Sequence, residues 1–543
     1  MTANVLSLIA LISIILIRVI SLKHSTKRKQ QENNSKEIDN FIDKHYKKIL
    51  IVFLLLIFIT RIYKFGEIPN FIGVDEAGAA YDAYCLSQYG VDRYLNSFPL
   101  YLINFGGGQS ALYAYATIPF IKLIGANIIA YRLPELLFFL MGIIVCYLLT
   151  NKMKDKKIAL LYTFLIIICP WNIEASRQGL DCNLLAPMFM LDILLLVTAK
   201  KNWHYIVAGL AIGITLYTYC LAWILIPTFL LIYIIYMLWI KKINLKQLIL
   251  LGIPIALLAI PLIYLILLNK GYVTRTNFGI FTIPKLFFFR QGEISIQNIL
   301  KYGMFSLKTI FTDSKGIYLV EIPFLLVGIV VGIKEFIKSI KEKEFSFTGI
   351  MTIIFIVLLF CNLLVTVGTI NRANILYLPM LYLTTIGISY ISNKSKWTII
   401  SILIILTALF VTFEISYYTE DPEKRKMSVY EDIELFKITE KLENDENLKD
   451  VEKHFIITNK AEPFIFTMLA TKPSPYDLKF LYEQKVKQYG NYFFEYDKLL
   501  VENITKEKAI VVVTKNRNDI VENLEKLNFS KEETNLYCIM KNF

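Results

Sequence analysis

The sequence predicts an α-helical protein that crosses a membrane many times and ends in a small soluble α/β domain. Hydrophobic residues make up 55% of its 543 residues, and the mean hydropathy is +0.51. The apolar residues lie in runs that are long enough to cross a bilayer. After about residue 419 the composition becomes charged, and short strand-like runs appear between helical stretches.

Twelve apolar runs are predicted to be membrane spans. For the first run a signal peptide is the alternative, but no A-x-A cleavage site follows and the next segment is strongly basic, which favours a retained span. The predicted spans lie at about 4–20, 48–63, 127–150, 157–172, 183–199, 203–221, 222–240, 247–268, 316–334, 348–367, 374–392 and 397–416.

The basic residues predict the orientation of the chain. They crowd the loop at 23–48 and then every second loop, and such an excess marks the cytoplasmic side. This pattern explains the net charge of +13 better than a nucleic-acid partner does. Segments 64–126 and 269–315 and the tail after residue 418 are therefore predicted to face outward. We expect a plasma-membrane protein with an extracellular C-terminal domain.

Three domains follow from this organisation. Residues 1–44 are predicted to form an extra N-terminal span with a basic loop, residues 45–418 the main transmembrane domain, and residues 419–543 the α/β domain. The tail shows no motif of its own, so accessory binding or scaffolding is its expected role. Its predicted helices lie near 428–445 and 517–527, and its predicted strands near 454–458, 509–514 and 537–540.

The outward segments are longer than simple connectors. Segment 64–126 reads as two short amphipathic helices at the interface, separated by a turn, with Ser110 as an N-cap. The glycine triplet before Ser110 lacks a phosphate-loop context and is expected to serve loop flexibility. Segment 269–315 mixes basic and aromatic residues and reads either as a mobile flap or as an ordinary interfacial loop.

An acidic pair, Asp75 and Glu76, directly follows the second predicted span. Two carboxylates at the water side of a membrane can polarise a hydroxyl group for group transfer. The alternative is a helix N-cap, since Asp favours that position and Glu suits the first helical turn.

Other charged residues lie in or beside the outer ends of spans, where ionisable groups are costly and often mark a site. Each arginine alone is equally compatible with snorkelling to lipid headgroups. Together with the acidic pair they are typical of an outward cavity for a phosphate-bearing ligand. The predicted substrate-binding residues are Arg132, Arg177, Asp181, Arg372, Tyr81 and Arg275, and Glu321 opens the ninth span.

Cysteine and histidine offer little for a metal centre. The seven cysteines have no paired spacing, and the four histidines are poorly placed for an external site. No cofactor is certain. A divalent cation, if one is used, would need carboxylate ligands, which suit magnesium, manganese or calcium better than zinc.

These features together resemble the GT-C superfamily of glycosyltransferases. The closest resemblance is to its glycosyltransferase 39-like branch, which includes protein O-mannosyltransferases and bacterial aminoarabinose transferases. It covers about residues 45–420 and rests on Asp75–Glu76, on the Arg-Leu-Pro run at 132–134, and on later signatures at 176–181 and 371–380.

The resemblance implies a reaction and roles for several residues. Members of this branch move a sugar from a polyprenyl-phosphate carrier to an acceptor, usually with inversion at the anomeric carbon. Asp75 would be the catalytic carboxylate, and Glu76, Arg177 and Arg372 would hold the phosphate, a cation or the acceptor. An extra N-terminal span and the sequence Gly-Gly-Gly-Gln-Ser-Ala at 106–111 depart from the usual pattern and leave the substrate open.

The implied partners are a polyprenyl-phosphate sugar, an acceptor that is a lipid, glycan or protein, and the lipid bilayer. The main alternative is a transporter or flippase of lipid-linked saccharides, although the sequence shows no internal repeat. A non-catalytic scaffold and a related polysaccharide polymerase are further alternatives.

The lysine asymmetry makes the topology testable. A cysteine placed at Ser35 is expected to react with an impermeant thiol reagent only after the cells are permeabilised, because the 23–48 loop faces the cytoplasm. A cysteine in the tail, at Asn535, is expected to react in intact cells. The unsubstituted chain gives the background, and labelling at Ser35 in intact cells would reverse the orientation.

Overall fold

The structure is a computed structural model of the full chain. It describes residues 28–289, 296–313, 315–365, 369–392, 396–419, 428–478, 486–494 and 507–543. The first predicted span, at 4–20, lies outside the described residues.

Long helices dominate the described part of the chain up to residue 419. They are α1 (Arg28–Ile57, continued by a π-helical turn at Phe58–Ile62), α2 (Val74–Tyr89), α3 (Leu112–Ile124), α4 (Ile128–Met153), α5 (Lys156–Ile168), α6 (Pro170–Ala175), α7 (Leu185–Thr198), α8 (Asn202–Thr215), α9 (Ala222–Trp239), α10 (Leu245–Asn269), α11 (Ile296–Thr312), α12 (Ile322–Glu342), α13 (Phe347–Val365), α14 (Asn374–Ser392) and α15 (Lys396–Thr419).

Each predicted span after residue 44 coincides with one of these helices. Seven segments in the described residues are long and apolar enough to cross a membrane, which confirms a multi-span helical protein. Helices α5 and α8 are shorter, at 13 and 14 residues. The seven are Ile128–Met153, Asp181–Thr198, Ala222–Trp239, Leu245–Asn269, Phe347–Val365, Asn371–Ser392 and Trp397–Thr419.

Polar side chains fix the starts of several helices. Asn127 accepts a hydrogen bond from the Ala130 N–H at 3.0 Å and so caps α4. Asp155 caps α5 in the same way through the Ile158 N–H, at 2.8 Å. Caps of this kind end one membrane helix and begin the next without leaving backbone donors unpaired.

Two glycines bring α12 and α14 into backbone contact. A Cβ atom at Gly328 would lie 1.9 Å from the Leu383 carbonyl oxygen, and one at Gly387 would lie 1.9 Å from the Phe324 oxygen. Neither position can therefore carry a side chain. Small residues at helix crossings allow such close packing in membranes, where burial of apolar surface provides little driving force.

Segment 64–126, which is predicted to face outward, contains two helices, as predicted, but a β-hairpin separates them. Strands β1 (Tyr101–Asn104) and β2 (Gly107–Ser110) pair antiparallel, with Asn104 opposite Gly107. Phe105 and Gly106 form the turn with φ of 46° and 80°, the signs that a two-residue hairpin turn needs.

Two predictions for this segment are wrong in detail. Ser110 ends β2, and Ala111 occupies the N-cap position of α3. The glycine triplet belongs to the hairpin because bulky side chains cover it. A Cβ at Gly108 would lie 2.1 Å from the Tyr101 ring.

The described parts of segment 269–315 form a hairpin of β3 (Asn277–Phe278) and β4 (Phe281–Thr282), followed by α11. Thr282 forms a bridge with Pro99, and its carbonyl oxygen accepts a hydrogen bond from the Leu100 N–H at 3.0 Å. Segments 64–126 and 269–315 therefore contact each other directly.

The C-terminal residues form the predicted α/β arrangement. Six strands make one mixed sheet in the order β6-β7-β5-β8-β10-β9, in which β5 lies parallel to β7 and β8. The predicted strands and helices of the tail are confirmed, while the domain limits stay a prediction. The elements are α16 (Glu434–Asn444), β5 (Lys453–Ile457), α17 (Pro463–Thr471), β6 (Gln488–Tyr489), β7 (Tyr492–Phe493), β8 (Ala509–Thr514), α18 (Asn518–Lys526), β9 (Ser530–Glu533) and β10 (Tyr537–Lys541).

This domain packs on the start of α2. The Val74 N–H donates to the Tyr430 oxygen, and the Asp432 N–H donates to the Ile72 oxygen, both at 2.9 Å. The bridge between Gly73 and Glu431 lies between these two bonds. Apolar residues of both parts share one core, so the tail is part of the structure around α2.

His454 should make the tail sensitive to acid. The residue is buried in β5 and stacks on Tyr492. Burial lowers its pKa to about 4, from a usual value of about 6.5. The unfolded chain therefore binds a proton between these values that the folded chain does not, and the free energy of unfolding falls as the pH drops from about 6.5 to 4.

The test compares thermal unfolding of the detergent-solubilised protein at pH 7 and pH 5. His454→Phe keeps an aromatic ring but removes the titrating group, so its unfolding temperature is expected to fall less than that of the original chain. Equal losses in both proteins would contradict the assignment to His454.

Candidate functional site

The two acids in the first turn of α2, Asp75 and Glu76, point in different directions. Gly73 occupies the N-cap position in an extended conformation, so neither acid is the cap. Asp75 is exposed, whereas Glu76 is buried with only 5% of its surface accessible. Both carboxylates lie in the first turn, where negative charge interacts favourably with the helix dipole. The N-cap alternative for Asp75 is therefore wrong.

The hairpin β1–β2 contacts Asp75 at two points. The Asn104 Nδ2 donates to Asp75 Oδ1 at 2.8 Å. The Gln109 Nε2 donates to the backbone oxygen of Asp75 at 3.3 Å. The exposed carboxylate is therefore oriented by neighbouring side chains.

Asp181 joins this cluster from a distant part of the sequence. It begins a short 3₁₀ turn before α7, and its Oδ2 accepts the Ser110 N–H at 3.0 Å. Asp181 interacts electrostatically with Asp75. The structure thus brings two of the predicted site residues to one place, with Asp75 exposed and Asp181 buried.

Arg372 lies on the same side as this cluster. It is half-buried in the 3₁₀ turn at Asn371–Ala373 that precedes α14. Both Arg372 and Asp181 interact electrostatically with Tyr219, which joins α8 to α9. Arg372 and the Asp181 carboxylate therefore share Tyr219 as a neighbour.

Glu76 and Arg132 form a buried ion pair beneath the site. Arg132 Nε lies 2.6 Å from Glu76 Oε1, and Arg132 is fully buried. The other two nitrogens of Arg132 donate to the backbone oxygens of Pro69 and Phe71, at 3.2 and 2.6 Å. Glu76 Oε1 also accepts the Gly179 N–H at 3.0 Å. This pair joins α2, α4 and the junction before α7.

Arg177 is also fully buried. Its guanidinium donates at 2.9–3.3 Å to four backbone oxygens and to the Tyr418 hydroxyl. The four oxygens belong to Thr60, Tyr63, Lys64 and Ile68. Because these donors are used within the protein, Arg132 and Arg177 do not face the exposed carboxylate, contrary to the predicted phosphate-binding role.

Tyr81 and Arg275 lie apart from Asp75. Tyr81 is buried and donates to the Pro473 oxygen at 2.7 Å, so it contacts the C-terminal domain. Arg275 is exposed and lies over the Phe278 ring, 5.0 Å from its centroid. Glu321, at the start of α12, is buried and accepts the Tyr318 N–H at 3.2 Å.

Sequence reasoning did not identify Asn104 as part of the site. Tyr-Leu-Ile-Asn at 101–104 is a short strand-like run before a glycine cluster, which is a hairpin signal. Recognising it would have placed Asn104 beside a turn, but only the fold shows that the turn meets α2.

A small pocket of about 120 Å³ lies between α6, the turn before α14 and the C-terminal domain. Lys315 Nζ contacts Glu174 Oε1 at 2.7 Å within it. Glu431 of the C-terminal domain closes one side. The remaining lining residues are Phe71, Trp171, Ala175, Gln178, Asn183, Ile370 and Asn371.

Among the residues that the structure describes, no group of three or more His, Cys, Asp or Glu side chains is arranged to hold a metal ion. Asp75 and Asp181 supply two carboxylates, and the buried Gln109 Oε1 has no hydrogen-bond partner. Oxygen donors of this kind suit magnesium or manganese. The predicted divalent cation stays a prediction.

Comparison with known structures identifies the fold. ArnT from Cupriavidus metallidurans in the apo state aligns with a TM-score of 0.55 and 10% identity, over 92% of this chain and 98% of that one. The same protein bound to undecaprenyl phosphate gives 0.53 and 10%, over 93% and 98%. The Archaeoglobus fulgidus oligosaccharyltransferase in complex with Zn and sulfate gives 0.47 and 14%, over 78% and 61%.

The chain therefore shares its fold with ArnT. Within the chain, residues 109–265 match the family described as dolichyl-phosphate-mannose-protein mannosyltransferase. No curated protein matches the sequence significantly.

The buried arginines should be needed for stability. Arg132→Ala leaves Glu76 as an unpaired buried charge, a change that costs about 3–5 kcal/mol in other proteins. Arg177→Ala removes the donors that pair with four backbone oxygens and should also lower the unfolding temperature.

Arg275→Ala is the matched control. Arg275 is exposed, and its side-chain contacts within the described residues are local. Unfolding of the three variants is compared in detergent by intrinsic fluorescence. Variants of Arg132 and Arg177 as stable as the Arg275 variant would contradict this structural role.

Proposed function

We propose that this protein transfers a sugar from a polyprenyl-phosphate donor to a hydroxyl-bearing acceptor at the outer face of the plasma membrane, with Asp75 as the general base. The observation that carries the proposal is the environment of the Asp75 carboxylate. It is exposed at the start of an otherwise largely buried helix, yet it is fixed by Asn104 and lies near Asp181.

A lipid-linked donor fits the position of this site. Asp75, Asp181 and Arg372 lie at the ends of spans that the lysine pattern assigns to the outer side. Nucleotide sugars are cytosolic, so a donor already held in the bilayer solves the problem of supply. The likeness to ArnT bound to undecaprenyl phosphate supports this class of donor.

The reaction needs one proton acceptor and one leaving group. The acceptor hydroxyl attacks the anomeric carbon, its proton passes to the Asp75 carboxylate, and the bond from the anomeric carbon to the phosphate oxygen breaks. Polyprenyl phosphate leaves with both electrons of that bond. A carboxylate within hydrogen-bond reach of the hydroxyl contributes by holding the proton in the transition state.

Charge develops on the leaving phosphate, and we assign its stabilisation to Arg372. Arg372 is half-buried in the turn before α14 and interacts with Tyr219, as Asp181 does. Guanidinium groups bind phosphate oxygens through a planar pair of donors. Glu76, Arg132 and Arg177 hold the backbone beneath the site, and a divalent cation, if present, would use the oxygen donors around Asp75.

Asp75→Asn separates catalysis from structure. Asparagine keeps the shape but cannot accept the proton, so turnover is expected to fall by about 10²–10⁴-fold with little change in the unfolding temperature. Asp75→Glu is expected to be poor as well, because an extra methylene displaces the reacting oxygen. Asp519→Asn, on the exposed side of the C-terminal domain, is the matched control.

The assay incubates the purified protein with a panel of polyprenyl-phosphate hexoses, pentoses and aminosugars plus a membrane extract that supplies acceptors. Release of polyprenyl phosphate is the measurement. A fully active Asp75→Asn protein would overturn the role of Asp75. Failure of the original chain to consume any donor in the panel would count against the transferase proposal.

A further inference from the structure

We propose that Asn104, Arg93 and Asp82 form a positioning chain that holds the Asp75 carboxylate in its reactive orientation. This inference rests on the proposed function of Asp75. It assigns a role to three polar residues that no motif in the sequence identified, and it adds no further catalytic group.

The buried end of the chain is an ion pair. Arg93 Nη2 lies 3.2 Å from Asp82 Oδ2, and the two side chains are 2% and 1% exposed. The Arg93 backbone N–H also donates to Asp82 Oδ1, at 3.1 Å. Asp82 belongs to the same helix as Asp75, so it fixes the arginine relative to that helix.

Arg93 determines which way the Asn104 amide faces. Arg93 Nη2 donates to Asn104 Oδ1 at 2.6 Å. A guanidinium carries only donors, so the amide oxygen must face Arg93 and the amide nitrogen must face the other way. That nitrogen donates to Asp75 Oδ1 at 2.8 Å. Arg93 therefore orients the Asn104 amide so that its N–H group donates to the Asp75 carboxylate.

Gly78 provides an independent observation. It lies one turn after Asp75 on α2, and a Cβ atom there would approach Asn104 Oδ1 to 2.6 Å and Arg93 Nη2 to 2.9 Å. These side-chain ends are buried and tied to each other and to Asp82, so a Cβ atom here would displace them from their present positions. The absence of a side chain at position 78 is what allows the pair to lie against the helix.

The chemical consequence concerns the charge and direction of Asp75. A hydrogen bond donated to a carboxylate favours its ionised form, which is the form that accepts a proton. The same bond fixes the rotation of an otherwise exposed side chain. Since a displacement of about 1 Å can cost 100-fold in rate, loss of Asn104 is expected to slow turnover by about 10- to 100-fold.

Asn104→Asp gives the sharpest test because it keeps the shape and replaces the donor with a second carboxylate. Like charges at this distance disfavour ionisation of Asp75. The acidic limb of the pH–rate profile should therefore move up by about one pH unit or more, and raising the pH should restore part of the activity. A purely structural defect would not be rescued by pH.

A second readout needs no sugar donor. Water-soluble carbodiimides react with protonated carboxyl groups, and mass spectrometry can follow the modification of exposed Asp75 against pH. In Asn104→Asp the pH of half-maximal modification should rise. In Gly78→Ala, which pushes the Arg93–Asn104 pair away without touching Asp75, it should rise in the same direction. Gly252→Ala is the control, since that helical glycine has nothing within 4 Å of an added Cβ.

The two readouts separate the possible failures. Unchanged modification of Asp75 in both Asn104→Asp and Gly78→Ala, with the unfolding temperature retained, would overturn the positioning chain. A shifted modification profile with no donor consumed by any protein would support the chain and count against the proposed transferase activity. If Asn104→Asp does not fold, Gly78→Ala alone decides.

Discussion

The structure depends on how the irregular backbone between α1 and α2 forms its hydrogen bonds. Residues 63–73 join the two helices without regular helix or sheet, and unpaired carbonyl groups there would be costly. Arg177 and Arg132 supply the missing donors, since each guanidinium carries several N–H groups in a fixed plane. Lysine, with one nitrogen, could not reach carbonyls spread over so many residues.

This constraint explains why two adjacent acids have different environments. Successive residues on a helix point about 100° apart, so one of the pair faces inward when the other faces water. Glu76 neutralises Arg132 beneath the turn and leaves Asp75 exposed above it. The first turn of α2 therefore carries both Glu76, which supports the backbone, and Asp75, to which we assign the chemistry. A substitution at Glu76 would disturb Asp75 through the fold and so mimic a catalytic defect.

Sequence reasoning predicted the span positions and the strands of the tail because long apolar runs and β-branched runs are local signals. It also selected Asp75 and Asp181, which interact electrostatically in the structure. It could not tell that the Arg177 guanidinium is used up by backbone oxygens, since Arg177 and Arg372 both appear as arginines at a span end. The hairpin that carries Asn104 has Phe105 at a positive φ in its turn. A glycine or asparagine at this position would have predicted the turn from the sequence.

The bridge from Gly73 to Glu431 has a consequence for biosynthesis. The chain segment that completes the start of α2 is synthesised long after α2 itself. At about 5–20 residues per second, roughly 20–70 s separate the two. During that interval the nascent protein already holds its acidic pair in the membrane region but lacks the backbone contacts at positions 72 and 74. A chain released before residue 428 would therefore lack the backbone partners of Ile72 and Val74 at the turn that carries the acidic pair.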